Sequence, residues 1–194
     1  WLWDGLNWHQ AQVDRSPPRS RRSRLAFDEA RGVMVLFGGL EENQYRLSDT
    51  WIWDGQNWEQ RFPAHHPSER ERFAMTYDPI SQRVLLFGGV ACDNESECAL
   101  GDTWAWDGED WTELTPTGGP ETGRNLTMAF DPTRQRVVMW GKTTGVSIEQ
   151  YEWDGRNWQL APELGAQVVG ANDAALGAEM VTYGTNGVAL LGWL

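Results

Sequence analysis

The residues in this sequence best suited to ligand binding are arginines that lie in the segments between candidate strands. Fifteen of the sixteen Lys and Arg residues are arginines, and Lys142 is the single lysine. The planar fork of an arginine side chain fits a carboxylate through two parallel hydrogen bonds. We therefore expect Arg22, Arg70, Arg72 and Arg124 to bind an acidic protein segment or an anionic glycan. The alternative is that these arginines pair with neighbouring Asp and Glu residues or bridge adjacent repeats.

Two further side chains, Tyr45 and His65, are candidates for the same site because both lie in long connecting segments. Convergence of the arginines on a deep pocket, with a carboxylate and either of these residues, would favour an enzyme. Salt-bridged arginines around a shallow face would instead favour binding or a scaffolding role. His65 is adjacent to His66 with no third ligand nearby in sequence, so no metal or cofactor is expected.

The two cysteines lie in one long connection, where Cys92 and Cys98 enclose an acidic segment, Asp93 to Glu97. A loop this short closes as a disulfide if its backbone folds back. Such a pair favours a secreted or extracytoplasmic location, although two free surface thiols remain the alternative. The acidic segment lacks the spacing of a calcium-binding loop.

Composition excludes two other classes of function. The 194-residue chain carries a net charge of −12, whereas nucleic-acid-binding domains are usually basic. No apolar run approaches the roughly 20 residues that a membrane-spanning helix needs. We therefore expect neither a nucleic-acid partner nor a membrane span.

A sequence repeat must supply the elements that position these residues. The pattern Trp-x-Trp-Asp-Gly-x-Asn-Trp, or a close variant, begins at Trp1, Trp51, Trp104 and Tyr151, with spacings of 50, 53 and 47 residues. Eleven of the thirteen tryptophans lie in these four copies. A ring that recurs at one strand position in every unit is best interpreted as packing between repeats, not as a sugar-stacking site.

A second repeated element lies between these copies. An alternating segment that ends in aromatic-Asp leads through a turn into an aliphatic run that ends in glycine, at 25–39, 75–89, 128–141 and, more weakly, 180–192. With the Trp-x-Trp segment and the segment after Asn-Trp, each unit predicts four short antiparallel strands. Asp-Gly and Asp-Pro mark the tight turns.

These motifs resemble the kelch family. The resemblance rests on Gly38-Gly39 and Gly88-Gly89, on Tyr77-Asp78, and on the Asp-Thr-Trp-x-Trp segments 49–53 and 102–106. It implies an all-β propeller of four-stranded antiparallel sheets, or blades, with partners commonly bound on the face of the long loops. The third unit departs from the pattern, because Trp140-Gly141-Lys142 stands where Gly-Gly is expected.

The repeat predicts a single kelch-type propeller domain or segment with about four blades' worth of strands, 16 in all. The expected units are a half-blade 1–13, blades 14–61, 62–114 and 115–161, and a half-blade 162–194. Because the chain opens in the middle of a unit, we interpret it as a fragment or a processed form. Its ends could close one ring, or two chains could exchange half-blades as a homo-oligomer, or the ring could be longer.

The connections differ between the two ends of the predicted sheets. Turns between first and second strands and between third and fourth strands are short and similar. The other connections are long and unlike one another, and binding groups are usually carried on such loops. We therefore expect a non-catalytic recognition module that binds a protein segment or another anionic ligand through this long-loop face. The alternative is an enzyme of the sialidase or mutarotase kind at the mouth of the propeller axis.

Overall fold

The chain is all-β, as the repeat predicts. The computed structural model describes residues 1–92, 98–143, 148–161, 179–182 and 188–191, and these residues form 17 strands and no helix. It follows that none of the described residues belongs to a helix that could cross a membrane.

Each full repeat forms one antiparallel sheet, and the strands follow chain order within it. A two-stranded sheet comes first, with β1 (Leu2–Trp3) and β2 (Trp8–His9). Sheet I contains β3 (Ser20–Arg21), β4 (Arg24–Asp28), β5 (Val33–Glu41), β6 (Arg46–Trp53) and β7 (Trp58–Arg61). Sheet II contains β8 (Ala74–Asp78), β9 (Arg83–Val90), β10 (Ala99–Trp106) and β11 (Trp111–Leu114). Sheet III contains β12 (Arg124–Asp131), β13 (Arg136–Lys142), β14 (Ile148–Trp153) and β15 (Trp158–Leu160).

A second two-stranded sheet follows sheet III. It pairs β16 (Glu179–Thr182) with β17 (Val188–Leu191), the first two strands of the fourth repeat. The remainder of the predicted half-blade 162–194 lies outside the described residues.

The Asp-Gly-x-Asn-Trp motif is a turn signal in all four copies. In the second copy Asp54 Oδ1 accepts hydrogen bonds from the backbone N–H groups of Gln56 and Asn57, both at 2.7 Å, and Gly55 has a φ of 98°. The tryptophans on either side of each turn contact each other, with ring centroids 5.2 to 5.5 Å apart. The motif is therefore explained by turn formation and ring packing.

The connections between second and third strands are shorter than expected. The repeat predicts long connections after each Gly-Gly pair, but β5 continues to Glu41 and β9 to Val90. The glycine pairs allow this, because their positive φ angles accommodate a bulge where the register shifts.

The strand register assigns Trp140 to a different repeat position from the one expected. Trp140 lies opposite Thr127 in sheet III, as Phe87 lies opposite Ala74 in sheet II. Trp140 therefore replaces a phenylalanine, and Lys142 replaces the second glycine.

Neighbouring sheets pack face to face through one repeated interface. The sheet II face that carries Val84, Leu86 and Trp106 packs on the sheet I face that carries Val35 and Phe37. Sheet III packs on sheet II in the same way. In each interface a tryptophan of the later sheet donates its indole N–H to a threonine of the earlier one: Trp111 to Thr50 at 2.9 Å and Trp158 to Thr103 at 3.1 Å.

The first strands of consecutive sheets lie against one another in order, β4 against β8, β8 against β12, and β12 against β16. The Arg24 side chain of sheet I donates to the Phe73 carbonyl beside β8 at 3.1 Å and reaches the Leu126 carbonyl of sheet III at 3.4 Å. One side chain of sheet I therefore contacts the backbone beside the first strand of sheet II and within the first strand of sheet III.

The outer face of sheet I exposes apolar positions that are buried at the equivalent positions of sheet II. Leu25 and Phe27 are 49% and 50% exposed, whereas Met75 and Tyr77 at the same repeat positions of sheet II are 6% and 8% exposed. In sheets II and III this face is covered by the preceding sheet.

Candidate anion-binding site

Two of the four predicted arginines, Arg22 and Arg72, lie near a carboxylate, Glu71, just before β8. The backbone N–H of Glu71 donates to the carbonyl of Val90 at 3.1 Å, and the N–H of Val90 donates to the carbonyl of Glu71 at 2.8 Å. This pair of bonds fixes Glu71 at the end of β9. Its side chain is only 3% exposed, so the carboxylate requires charged partners.

Three arginine side chains provide those partners. Arg22 Nη1 lies 2.6 Å from Glu71 Oε2, Arg46 Nη2 lies 3.1 Å from Oε1, and Arg72 Nε lies 3.9 Å from Oε2. Arg22 and Arg46 belong to sheet I, whereas Glu71 and Arg72 precede sheet II. We call this group, Arg22, Arg46, Glu71 and Arg72, the central arginine cluster. It lies at the end of the sheets that also carries the connections between second and third strands.

The backbone at the start of each first strand positions these side chains. Arg22 and Arg72 both have a φ of 60°, and Asn125 at the same repeat position has a φ of 52°. Positive φ is uncommon for residues with a side chain and interrupts regular strand pairing. The backbone N–H of Asn125 donates to the Arg72 carbonyl at 3.0 Å, which links these bulges between neighbouring sheets.

Arg70, the fourth arginine expected to bind ligand, is bound inside the protein instead. Its side chain is 0% exposed, and its guanidinium forms two 2.7 Å bonds to Asp102, at Oδ1 and Oδ2. The remaining N–H groups donate to Ser68 O, Ser68 Oγ and Gly88 O, each at 3.0 Å. All five N–H groups are used inside the protein, so none is left for a ligand.

Arg70 also sets the charge state of its partner. Burial raises the pKa of Asp102, but the hydrogen bonds and charge of Arg70, together with the Trp104 indole N–H, outweigh burial and hold that pKa below its ordinary value. The Asp102 carboxylate is therefore ionised at neutral pH, as a partner of a buried guanidinium must be.

His65 is not placed with the arginines. Its Nδ1 lies 2.7 Å from Asp110 Oδ2, and its backbone N–H donates to Asp110 Oδ1 at 2.8 Å. Asp110 ends the turn between the third and fourth strands of sheet II, which lies at the opposite end of the strands from the central arginine cluster. The loop that contains His65 thus links sheet I to sheet II. Thr117 and Asn157 form the equivalent link between sheets II and III.

Tyr45 and Arg124 lie nearer to the cluster. Tyr45 immediately precedes Arg46 in the connection between β5 and β6, and it is 71% exposed. The same connection is linked to β3 because Arg21 Nη2 donates to Gln44 Oε1 at 3.1 Å. Arg124 begins β12, next to the Asn125 that bonds to Arg72. Of the six predicted ligand-binding residues, Arg22 and Arg72 converge on the same carboxylate, and Tyr45 and Arg124 lie beside residues that contact this group.

The two cysteines form a disulfide. Their Cα atoms are 5.6 Å apart, and the N–H of Ala91 donates to the Cys98 carbonyl at 3.1 Å. This bond closes the connection between β9 and β10 directly beyond Val90. The acidic segment between the cysteines lies outside the described residues.

Sequence reasoning did not identify Arg46 or Glu71. Repeat alignment contained a signal for Glu71, because it occupies the repeat position that holds Arg21 and Arg124 in the neighbouring units. An acid in a position otherwise occupied by arginine indicates a local partner for the surrounding cations. The repeat gives no such signal for Arg46, since the direction of the Arg46 side chain depends on the geometry of the connection between β5 and β6.

Comparison with known proteins supports the architecture at the level of the fold. No family model and no curated protein matches this sequence. Eighty-nine chains of solved structures are similar to it. One, described as "Structure of YjhT", has 13% identity and a TM-score of 0.50 over 76% of this chain, which spans only 47% of that chain. At this identity the likeness concerns the fold alone.

Proposed function

We propose that this chain is a kelch-type propeller, or part of one, that serves as a non-catalytic recognition module for an acidic ligand. The order of contacts between the first strands and the Arg24 side chain that spans three sheets support the propeller. The exposed face of sheet I supports a further sheet beside it. That sheet would combine β16 and β17 with β1 and β2, from the same chain or from another copy.

One observation supports the proposed binding function. Arg22, Arg46 and Arg72 surround Glu71 at one end of the sheets, and 40% of the Arg22 side chain is exposed. Such a guanidinium can bind a carboxylate of a second molecule. The ligand we propose is a protein segment rich in Asp and Glu. No described residue set favours the enzymatic alternative, because Arg70 is sealed by Asp102 and His65 lies at the other end of the strands.

The first test measures the binding of a fluorescently labelled oligoglutamate peptide by anisotropy, over a range of NaCl concentrations. Wild-type protein should bind the peptide, and its affinity should fall as salt rises. The double variant R22A/R72A should bind at least about tenfold more weakly, a loss of about 1.4 kcal/mol. Binding by the double variant should also depend less on salt.

The matched control is R61A/R156A, which removes the same charge from exposed positions of an outer strand and a turn. It should bind like the wild type. Absence of binding by wild-type protein at low salt, or equal losses in both double variants, would contradict the proposed function.

A further inference from the structure

The most informative feature of the cluster is that it already contains a carboxylate. Glu71 Oε2 and Oε1 contact Arg22 and Arg46 at 2.6 and 3.1 Å, and the Glu71 side chain is almost completely buried. A ligand carboxylate that approaches Arg22 must share that guanidinium with Glu71. Glu71 therefore competes by charge with every anion that enters the cluster.

The geometry of Arg22 allows this sharing. A guanidinium has five N–H groups, and within the described part of the chain only Nη1 of Arg22 has a hydrogen-bond partner. Forty per cent of the Arg22 side chain is exposed to solvent. Glu71 thus holds the inner edge of Arg22, and the outer edge can bind another carboxylate.

We infer that Glu71 is a specificity-determining residue that makes the cluster select ligands with several acid groups over those with one. This inference rests on the proposed function. A single carboxylate at Arg22 gains attraction from the arginines but is repelled by Glu71, a few ångströms away. A chain of carboxylates can also reach the exposed Arg21, which does not contact Glu71, and the repulsion there is weaker.

The experiment compares wild-type protein with E71Q, which keeps the side-chain shape and removes the negative charge. The probes are the labelled oligoglutamate peptide and sodium acetate, a monoanion, used as a competitor at constant ionic strength. E71Q should bind the peptide about five- to tenfold more tightly, as expected for one charge removed at this distance near a surface. The ratio of the acetate concentration that displaces half of the peptide to the peptide's dissociation constant should be adjusted for peptide occupancy and compared between the two proteins. Relative to peptide affinity, acetate should compete better in E71Q than in wild-type protein, because E71Q prefers the peptide over a monoanion less strongly.

The control is E59Q. Glu59 is exposed on an outer strand and pairs with Arg61 at 3.2 Å, so this variant changes the net charge equally without touching the cluster. It should bind like the wild type. If wild-type protein binds the peptide and E71Q binds it equally or more weakly, the inference is wrong while the proposed function stands. If wild-type protein does not bind, the proposed function itself fails.

A second variant covers the case in which E71Q does not fold. R22K keeps the positive charge but replaces the fork with a compact ammonium, which cannot hold Glu71 and a ligand carboxylate on opposite edges. Peptide affinity should fall at least about fivefold in R22K and stay unchanged in R61K. Equal affinity in wild-type protein and R22K would overturn the inference.

Discussion

Two arginines in the same connecting region of the repeat, Arg22 and Arg70, have opposite environments. Arg22 is 40% exposed and uses one N–H group within the described residues, whereas Arg70 is sealed and uses all five. When either the guanidinium or the carboxylate of a buried ion pair is removed, the remaining group is an uncompensated charge in the interior. Arg70 is thus a structural residue, and Arg22 is available for binding.

Replacement of Arg70 by alanine should destabilise the protein by about 3–5 kcal/mol, because Asp102 and two carbonyl groups lose their partner. The pKa of Asp102 is depressed in the folded state, so the stabilising contribution of the pair is present above the ordinary value of 3.8 and is lost as pH falls through the folded value. The difference in the free energy of unfolding between wild-type protein and R70A should therefore shrink as the pH falls through the folded-state pKa of Asp102. Urea unfolding at a series of pH values measures it.

The control for this experiment is R61A, which removes an exposed arginine paired with Glu59. It should change the free energy of unfolding by less than about 0.5 kcal/mol. A similar small effect of R70A at neutral pH would mean that the bidentate pair with Asp102 does not stabilise the fold.

At the scale of elements, the glycine pairs at the ends of the second strands explain how the sheets approach one another. The N–H of Gly39 donates to the Arg70 carbonyl at 2.9 Å, and the N–H of Gly89 donates to the Gly123 carbonyl at 2.8 Å. A Cβ atom on Gly88 would lie 2.6 Å from the Gly123 carbonyl oxygen. The glycines are therefore required for close contact between sheets as well as for their backbone conformation.

Substitution G88A should destabilise the protein more than G55A. Both glycines have positive φ, at 67° and 98°, so both variants bear a strain of about 1–2 kcal/mol. Only Gly88 meets a neighbouring sheet, which adds about 1–3 kcal/mol of overpacking, whereas Gly55 faces open space. Thermal and urea unfolding of the two variants compare these effects, and equal losses would contradict the close contact.

Much of this element-level description could be predicted from the sequence. The spacing of the tryptophans and the Asp-Gly and Asp-Pro turns predicts the four repeated strands of sheets I to III, because turn residues and alternation are local properties of the chain. The additional short strand β3 of sheet I was not predicted. The candidate site was predicted less well. Burial of Arg70 and the position of His65 depend on contacts between sheets, which the spacing of residues within one repeat does not determine.

At the scale of the whole molecule, the interfaces between sheets follow one rule. Each later sheet covers the earlier one with a tryptophan that bonds to a threonine, as Trp111 does with Thr50. Sheet I presents the same covering face, and within the part of the chain that the structure describes its Leu25 and Phe27 are half exposed. In the proposed propeller this face is covered by one further sheet, and the central arginine cluster lies at one end of the axis.

The decisive measurement is a crystal structure of the protein grown with the oligoglutamate peptide at low salt. We expect sheets that radiate from a common axis, with a peptide carboxylate bound to the outer edge of Arg22 while Glu71 holds the inner edge. Sheets stacked in two layers without an axis, or a peptide bound away from Arg22 and Arg72, would contradict this expectation.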